Sequence, residues 1–282
     1  MKITTRQICA VHEEFLKNFQ LFSGINFFAV NKPPDFHLER ADSTICIEDL
    51  VRELCNIDKF RICGQLDYAT SGVMLLAKSK LASKYANLMI YAKEIYKVYL
   101  ALLYGHLPID TYHITRSICK PRGDEFKMRL AGSEGEGKAC HSVLIPRSHH
   151  SIEGQPVTLC ELRTITGRRH QLRLHCASIG HPIIGDVTYF NERNLTGRYK
   201  EIETDRMMLH CWFLKRNSSD ELSAKYPKDW PKMREMIEEI ELIVSPDVIS
   251  KYVNQPPINH LDSVLLNMQF EQRVGSQIKV FK

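Results

Sequence analysis

The most apolar segment of the chain, Val73–Ala77 (VMLLA), follows directly on a glycine-marked turn that carries one acid and two hydroxyls, GQLDYATSG from Gly64 to Gly72. A short continuous apolar run bounded by turn residues reads as a buried strand, and Tyr68 to Gly72 reads as the bend that delivers it. Asp67 is thereby placed at the edge of a core. A carboxylate there is either a turn residue bonded to its own backbone or a group kept for chemistry, and the turn alone does not decide between them.

The rest of the chain surrounds that segment with more strands than helices. INFFAVNKPP reads as a strand stopped by Pro33 and Pro34, which supply no ladder donor. A helical stretch around Thr44 to Cys55 follows, and then the strand FRICGQLD. Ser79 is placed to cap a helix from Lys80 to about Ala92, with Leu81, Tyr85, Leu88 and Met89 at helical spacing. YKVYLALLYGH reads as a strand, and FKMRLAG and ACHSVLI as a β-meander with its tip around Ser133 to Gly137. PVTLCELRTITG is another strand, followed by a helix from about Arg168 to Ile179 that Gly180 ends. YPKDWPKMREMIEEIELIV reads as a last helix, and the tail from Ser245 carries no usable pattern. The expected class is α+β, a mixed, mostly antiparallel central sheet flanked by helices. With 282 residues and 44% hydrophobic content, one catalytic-sized domain over 25–244 is expected, between an N-terminal extension (1–24) and a C-terminal tail (245–282).

Charge and cysteine usage narrow the setting. A net charge of +5 is a mild bias toward polyanions, permitting nucleic acid without proving it. Nine scattered cysteines, with no C-x-x-C, make neither a disulfide framework nor a zinc ribbon. The N-terminus lacks the apolar core of a signal peptide, and Glu13 and Glu14 count against a transit peptide. No apolar run approaches the roughly 18 residues of a membrane span. The expectation is a soluble protein with reduced thiols, cytoplasmic or nuclear.

The second informative stretch is RTITGRRHQLRLHCASIGHPIIGD, Arg163 to Asp186. Between Arg163 and Gly185 it holds four arginines, three histidines and no acid. On a helix from Arg168 to Ile179, Leu172, Cys176 and Ile179 face the core, while Arg169 and Arg173 share another face. Such a face is either simply solvated or offers cations to a cleft, and the helix start beside Arg168 and Arg169 suits a phosphate. His170 and His175, five apart, do not meet on a helix, so no metal site is expected.

The turn and the basic stretch together resemble the RluA family of RNA pseudouridine synthases, whose signatures are R-L-D-x-x-T-S-G and G-R-x-H-Q-I-R-x-H. FAVNKPP, YKVYLALLYG, GKACHSVL, RMMLHCWFL and YPKDW resemble further family blocks in the family's order, so the likeness runs from about Ile25 to Ile240. The wording of CGQLDYATSG and RMMLHCWFL looks like that of animal members. The resemblance implies cleavage of the N1–C1′ bond of a uridine in RNA, rotation of the base and rejoining through C5, with no cofactor and no metal. It implies Asp67 as the catalytic carboxylate, acting on C1′ or C2′, and Arg173 as the cation paired with it, which favours the ionised acid. It implies Tyr99 as the aromatic stacked on the target base, a residue that by composition alone reads as a core aromatic.

Expected substrate contacts are Gln65, Leu66, Thr70, Ser71, Gly72, Arg168, His170, Gln171 and Leu174, the last lining the base pocket. The sequence departs from the family at Gly64 and Gln65, which stand where the family has His-Arg. Base flipping costs a few kcal/mol of unstacking, and the family fills the vacated space with that arginine. Gln65 therefore suits a uridine that is already unpaired. No S4-type domain is expected before Ile25, a monomer is expected, and RNA is the expected partner through a salt-dependent basic cleft. The competing reading is an RNA-binding or RNA-folding protein that kept the scaffold and lost turnover; the presence of Asp67, Tyr99 and Arg173 together argues against it. A metal-assisted nucleoside hydrolase lacks a ligand set.

Overall fold

The structure is a computed structural model, and it describes residues 13–40, 45–121, 123, 126–133, 135–190, 197–216, 230–256 and 279–281. In chain order the elements are α1 (Glu13–Lys17), β1 (Gln20–Ser23), β2 (Phe27–Lys32), α2 (Ile47–Cys55), β3 (Arg61–Cys63), β4 (Ser71–Ala77), α3 (Lys80–Ala92), β5 (Ile95–Tyr104), β6 (Tyr112–Ile114) and β7 (Ile118–Cys119). They continue with β8 (Arg129–Leu130), β9 (Ser142–Ile152), β10 (Gln155–Thr164), α4 (Gln171–Ser178), β11 (Leu209–Arg216), α5 (Trp230–Ile237), β12 (Leu242–Val244) and β13 (Lys279–Phe281). Every strand pair recorded is antiparallel except β6 with β13, so the mixed, mostly antiparallel α+β class holds. The chain groups into two compact units: Met1–Lys97 with Cys211–Pro246, and Val98–His210 with Asp247–Lys282.

The first unit is built around β4. Every residue of β4 and of β2 is buried, as continuous apolar runs demand when both faces of a sheet are covered. β2 pairs with β4 from Phe27↔Ala77 to Lys32↔Gly72, β3 pairs with β4 from Arg61↔Ala77 to Cys63↔Leu75, and β1 extends the sheet beyond β2. Gly72 (φ +106°) is irreplaceable by shape as well as by dihedral, because a Cβ there would collide with the backbone of Cys211. α3 begins as its sequence demands, with the Ser79 hydroxyl accepting from Ala82 N–H at 3.1 Å. Its buried face holds Tyr85 and Met89 of the expected stripe together with Ala82 and Ala86, while Leu81 and Leu88 are half-buried. α1 and β1 fall inside the expected N-terminal extension, yet Phe15 and Phe19 are core residues.

The second unit is a sheet in the order β5-β10-β9-β6-β13. β10 lies between β5 and β9, pairing with β5 through Arg163↔Val98 and with β9 through Thr164↔Ser142. FKMRLAG contributes β8, which pairs with β7 in a separate two-stranded ribbon, and ACHSVLI leads into β9. β13 comes from the expected patternless tail and lies parallel to β6. α4 is shorter than expected: it runs Gln171–Ser178, and His170 before it sits in the left-handed region (φ 57°), so Arg168 and Arg169 are in the preceding turn and off the helix. Gly180 (φ +82°) closes the helix, its N–H donating to Ala177 O at 3.1 Å.

Among the described residues no helix is long and apolar enough to cross a membrane. The YPKDW block lies outside the described residues except for Trp230, as does Glu134 in the expected meander tip.

Candidate active site

In the first unit, Gln65, Leu66, Asp67 and Thr70 lie on the connection between β3 and β4, and Ser71 and Gly72 begin β4. The device that shapes this loop is a lysine. Lys32 ends β2 with 0% exposure, and its ammonium donates to Pro33 O at 2.9 Å, Tyr68 O at 2.7 Å and Thr70 O at 2.9 Å. Two of those carbonyls follow Asp67 by one and three residues, so a buried cation grips the turn from the side of the core. Thr70 N–H closes the turn by donating to Asp67 O at 3.1 Å. The buried cation is tolerated because carbonyl oxygens replace its water.

A second lysine reaches the same loop. Lys97 Nζ donates to Gly64 O at 3.3 Å, and a Cβ on Gly64 would stand 3.4 Å from that nitrogen. Burial pushes the Lys97 ammonium below its usual range, while Cys211, Cys63 and the Asp67 carboxylate act in the opposite direction. Gly64 (φ +76°) thus leaves the space at the start of the loop to the lysine. Gln65 is exposed, and Leu66, Thr70 and Ser71 are buried.

In the second unit, Arg173 is held as a rigid fork. Its Nε and Nη2 donate to Asp186 Oδ2 and Oδ1, each at 2.8 Å, with side-chain exposures of 6% and 1%. Asp186 also accepts from the N–H groups of Thr188 at 3.1 Å and Tyr189 at 3.3 Å. The Arg173 guanidinium carbon lies 5.1 Å from the centre of the Tyr189 ring. Tyr189 OH accepts from Met128 N–H at 3.0 Å and shares a hydrogen bond with His170 Nδ1 at 2.7 Å.

The Gln171 side chain is hydrogen-bonded to the scaffold. Its Oε1 accepts from Thr166 Oγ at 2.7 Å and Arg168 N–H at 3.1 Å, and its Nε2 donates to His141 O at 3.0 Å and Ser142 Oγ at 2.8 Å. These bonds explain why the helix starts at 171: the amide caps the turn that a helix from 168 would have consumed. Leu174 packs with Ile118, Cys140, Ala177 and Tyr189 in the core of the unit. Arg168 and Arg169 are exposed. Tyr99 lies on β5, 8% exposed and opposite Leu162.

Asp67 belongs to the first unit and Tyr99 and Arg173 to the second. Sequence reasoning missed Lys32, Lys97, Asp186 and Tyr189. The available signals were a lysine closing an otherwise apolar strand, and the one acid that ends an acid-free basic stretch. Among the described residues no group of three or more His, Cys, Asp or Glu is arranged to hold a metal.

The histidines around α4 give the second unit a pH dependence. Burial, then Arg173 and Arg169, lowers His170 to about 3, and burial lowers His175 to about 4. His175 accepts from Ser142 Oγ at 2.9 Å on Nδ1 and donates to Arg116 O at 2.9 Å from Nε2, a pattern only the neutral ring makes. An unfolded histidine takes its proton near pH 6.5, so this stability is full above that value and is lost as pH falls toward 4. By pH 5 the loss is about 2 kcal/mol for each histidine. Hydrogen exchange of α4 amides should therefore accelerate between pH 7 and pH 5 beyond the intrinsic trend, with a shallower dependence in His175→Gln. Equal dependence in the two proteins would contradict this.

A family model described as RNA pseudouridylate synthase matches residues 26–178. The human RNA pseudouridylate synthase domain-containing protein 1 is 34% identical over 203 residues, covering 67% of this chain and 64% of that protein. The bovine protein of the same description is 34% identical over 209 residues, 70% of this chain and 66% of its own length. The chain thus spans just under two thirds of these relatives. The tRNA pseudouridine synthase C of Yersinia pestis is 28% identical over 225 residues, 74% of this chain and 87% of that one. Among solved structures, the human RNA pseudouridylate synthase domain containing 1 aligns with a TM-score of 0.67 at 27% identity, covering 89% of this chain and 94% of that chain. From the family model and these relatives, the chain belongs to the RluA type of the RNA pseudouridylate synthase family.

Proposed function

We propose that the chain isomerises uridine to pseudouridine in RNA, with Asp67 as the catalytic carboxylate. The observation that carries this reading is the Asp67 turn itself, gripped from the core by Lys32 through Tyr68 O and Thr70 O, with Lys97 donating to Gly64 O at the start of the same loop. A structural turn needs no buried cation behind it, whereas a carboxylate that must meet a sugar in one geometry does. The chemistry balances without a cofactor. The N1–C1′ bond breaks, a C5–C1′ bond forms, the C5 proton leaves and N1 takes a proton.

In this reading Asp67 acts as nucleophile at C1′ or as base at C2′. Arg173, whose Nε and Nη2 are held by Asp186, is its partner cation. Tyr99 stacks on the base and assists proton movement at C5. Gln65 hydrogen-bonds a base edge without bringing a charge, which favours a uridine that is already unpaired, and the protein works as a monomer.

Incubating the protein with cellular RNA tritiated at uridine C5 tests the reading. Tritium should be released by the wild type and not by Asp67→Ala. Release at the level of Asp67→Ala from every RNA pool would mean that the scaffold binds RNA without turning it over.

A further inference from the structure

Phe126 is 60% exposed, an unusual place for a large aromatic ring, and it is not loosely held. The Arg169 guanidinium carbon lies 4.5 Å from its ring centre, and the His170 ring lies 5.2 Å away at 56°. Two residues further on, Met128 N–H donates to Tyr189 OH, which in turn is hydrogen-bonded to His170 Nδ1. The chain after Phe126 is therefore bolted to the same histidine that starts α4. A cation covers one part of the ring while the rest stays open to solvent.

The surroundings are basic. Arg168, Arg169 and Lys127 are all exposed beside this ring in sequence or in space, and Arg129, the next cation, is taken by Glu136. Asp124 and Glu125, which precede the ring, lie outside the described residues. A protein partner would call for a contiguous apolar patch, whereas one aromatic ring bordered by cations matches a nucleic-acid strand, whose bases stack on aromatics and whose phosphates take the charges.

We propose that Phe126, held by Arg169, is a stacking platform for an RNA base other than the reacting uridine. This rests on RNA being the substrate, and it assigns the turn before α4 to strand binding. Stacking of this kind tolerates any base, so the platform sets affinity and the path of the strand more than its sequence.

The test is binding of a fluorescent oligouridine 12-mer, measured against salt, together with tritium release. Phe126→Ala should bind about tenfold more weakly with an unchanged melting curve, Phe126→Leu should fall equally, and Phe126→Trp should bind like the wild type. Arg169→Gln should lower the slope of log affinity against log salt by about 0.7, while Phe126→Ala leaves that slope unchanged. Phe126→Ala or Phe126→Leu binding within about twofold of the wild type would overturn the platform, as would a wild type that does not bind the oligomer. Turnover is scored separately: a wild type that binds through Phe126 but releases no tritium sinks the isomerase reading and leaves the platform standing.

Discussion

A Lys32→Met variant should lose about 3 kcal/mol or more of the first unit's stability and on the order of 100-fold in tritium release. The side chain is fully buried and its ammonium serves the carbonyls of Pro33, Tyr68 and Thr70. Methionine fills similar volume but donates nothing, so three inward-facing acceptors lose their donor, at about 1–3 kcal/mol each before relaxation and water entry. The loop that carries Asp67 then loses its inner anchor, and displacement of a reacting group by about 1 Å costs on the order of 100-fold. Both tryptophans, Trp212 and Trp230, belong to the first unit, so tryptophan fluorescence in urea reports on it selectively. A wild-type urea midpoint for Lys32→Met would refute the anchoring role. Lys32→Arg should be intermediate, since it keeps the charge on a planar fork that does not match three converging carbonyls.

In the second unit the largest effect is expected at Arg173. Removing it as Arg173→Met leaves the Asp186 carboxylate buried with only the N–H groups of Thr188 and Tyr189, a loss of about 3–5 kcal/mol. The informative comparison is the double variant Arg173→Met/Asp186→Leu. An apolar pair in place of a buried ion pair is often neutral, so the double variant should recover stability to within about 1–2 kcal/mol of the wild type. It should recover no tritium release, because the cation assigned to Asp67 is still missing. An active double variant would show that Arg173 serves the fold alone. Hydrogen exchange over α4 and β10 reads the stability directly in this unit.

Much of the fold was legible because single segments carried its signals. The continuous apolar runs of β2, β4 and β5, the Ser79 cap of α3 and Gly180 after α4 all depend on local chemistry. What escaped depends on partners distant in sequence. α4 starts at Gln171 because its amide is drawn to His141 and Ser142, some thirty positions away. β1 and β13 pair at positions where the chain shows no pattern, and a grouping into two units is not written in any one segment.

The site divides along the same line. Asp67 and its glycine-marked turn announce themselves, since few structural needs explain an acid and two hydroxyls before a buried strand. Lys32, Asp186 and Tyr189 did not, because each acquires its role only when the fold brings it to the loop or to Arg173. The packing of Leu174 and the hydrogen bonds of Gln171 were not legible either, because α4 is buried on nearly every side against segments distant in sequence.

The proposed mechanism needs the carboxylate at position 67 ionised when it meets the sugar. Single-turnover tritium release from C5-tritiated RNA, followed from pH 8 down to pH 5.5, tests this most directly. A cation-held acid titrates below the usual carboxylate value of about 3.9, so the rate should be flat to within about twofold across that range. A rate that falls with a midpoint near pH 6 would contradict it.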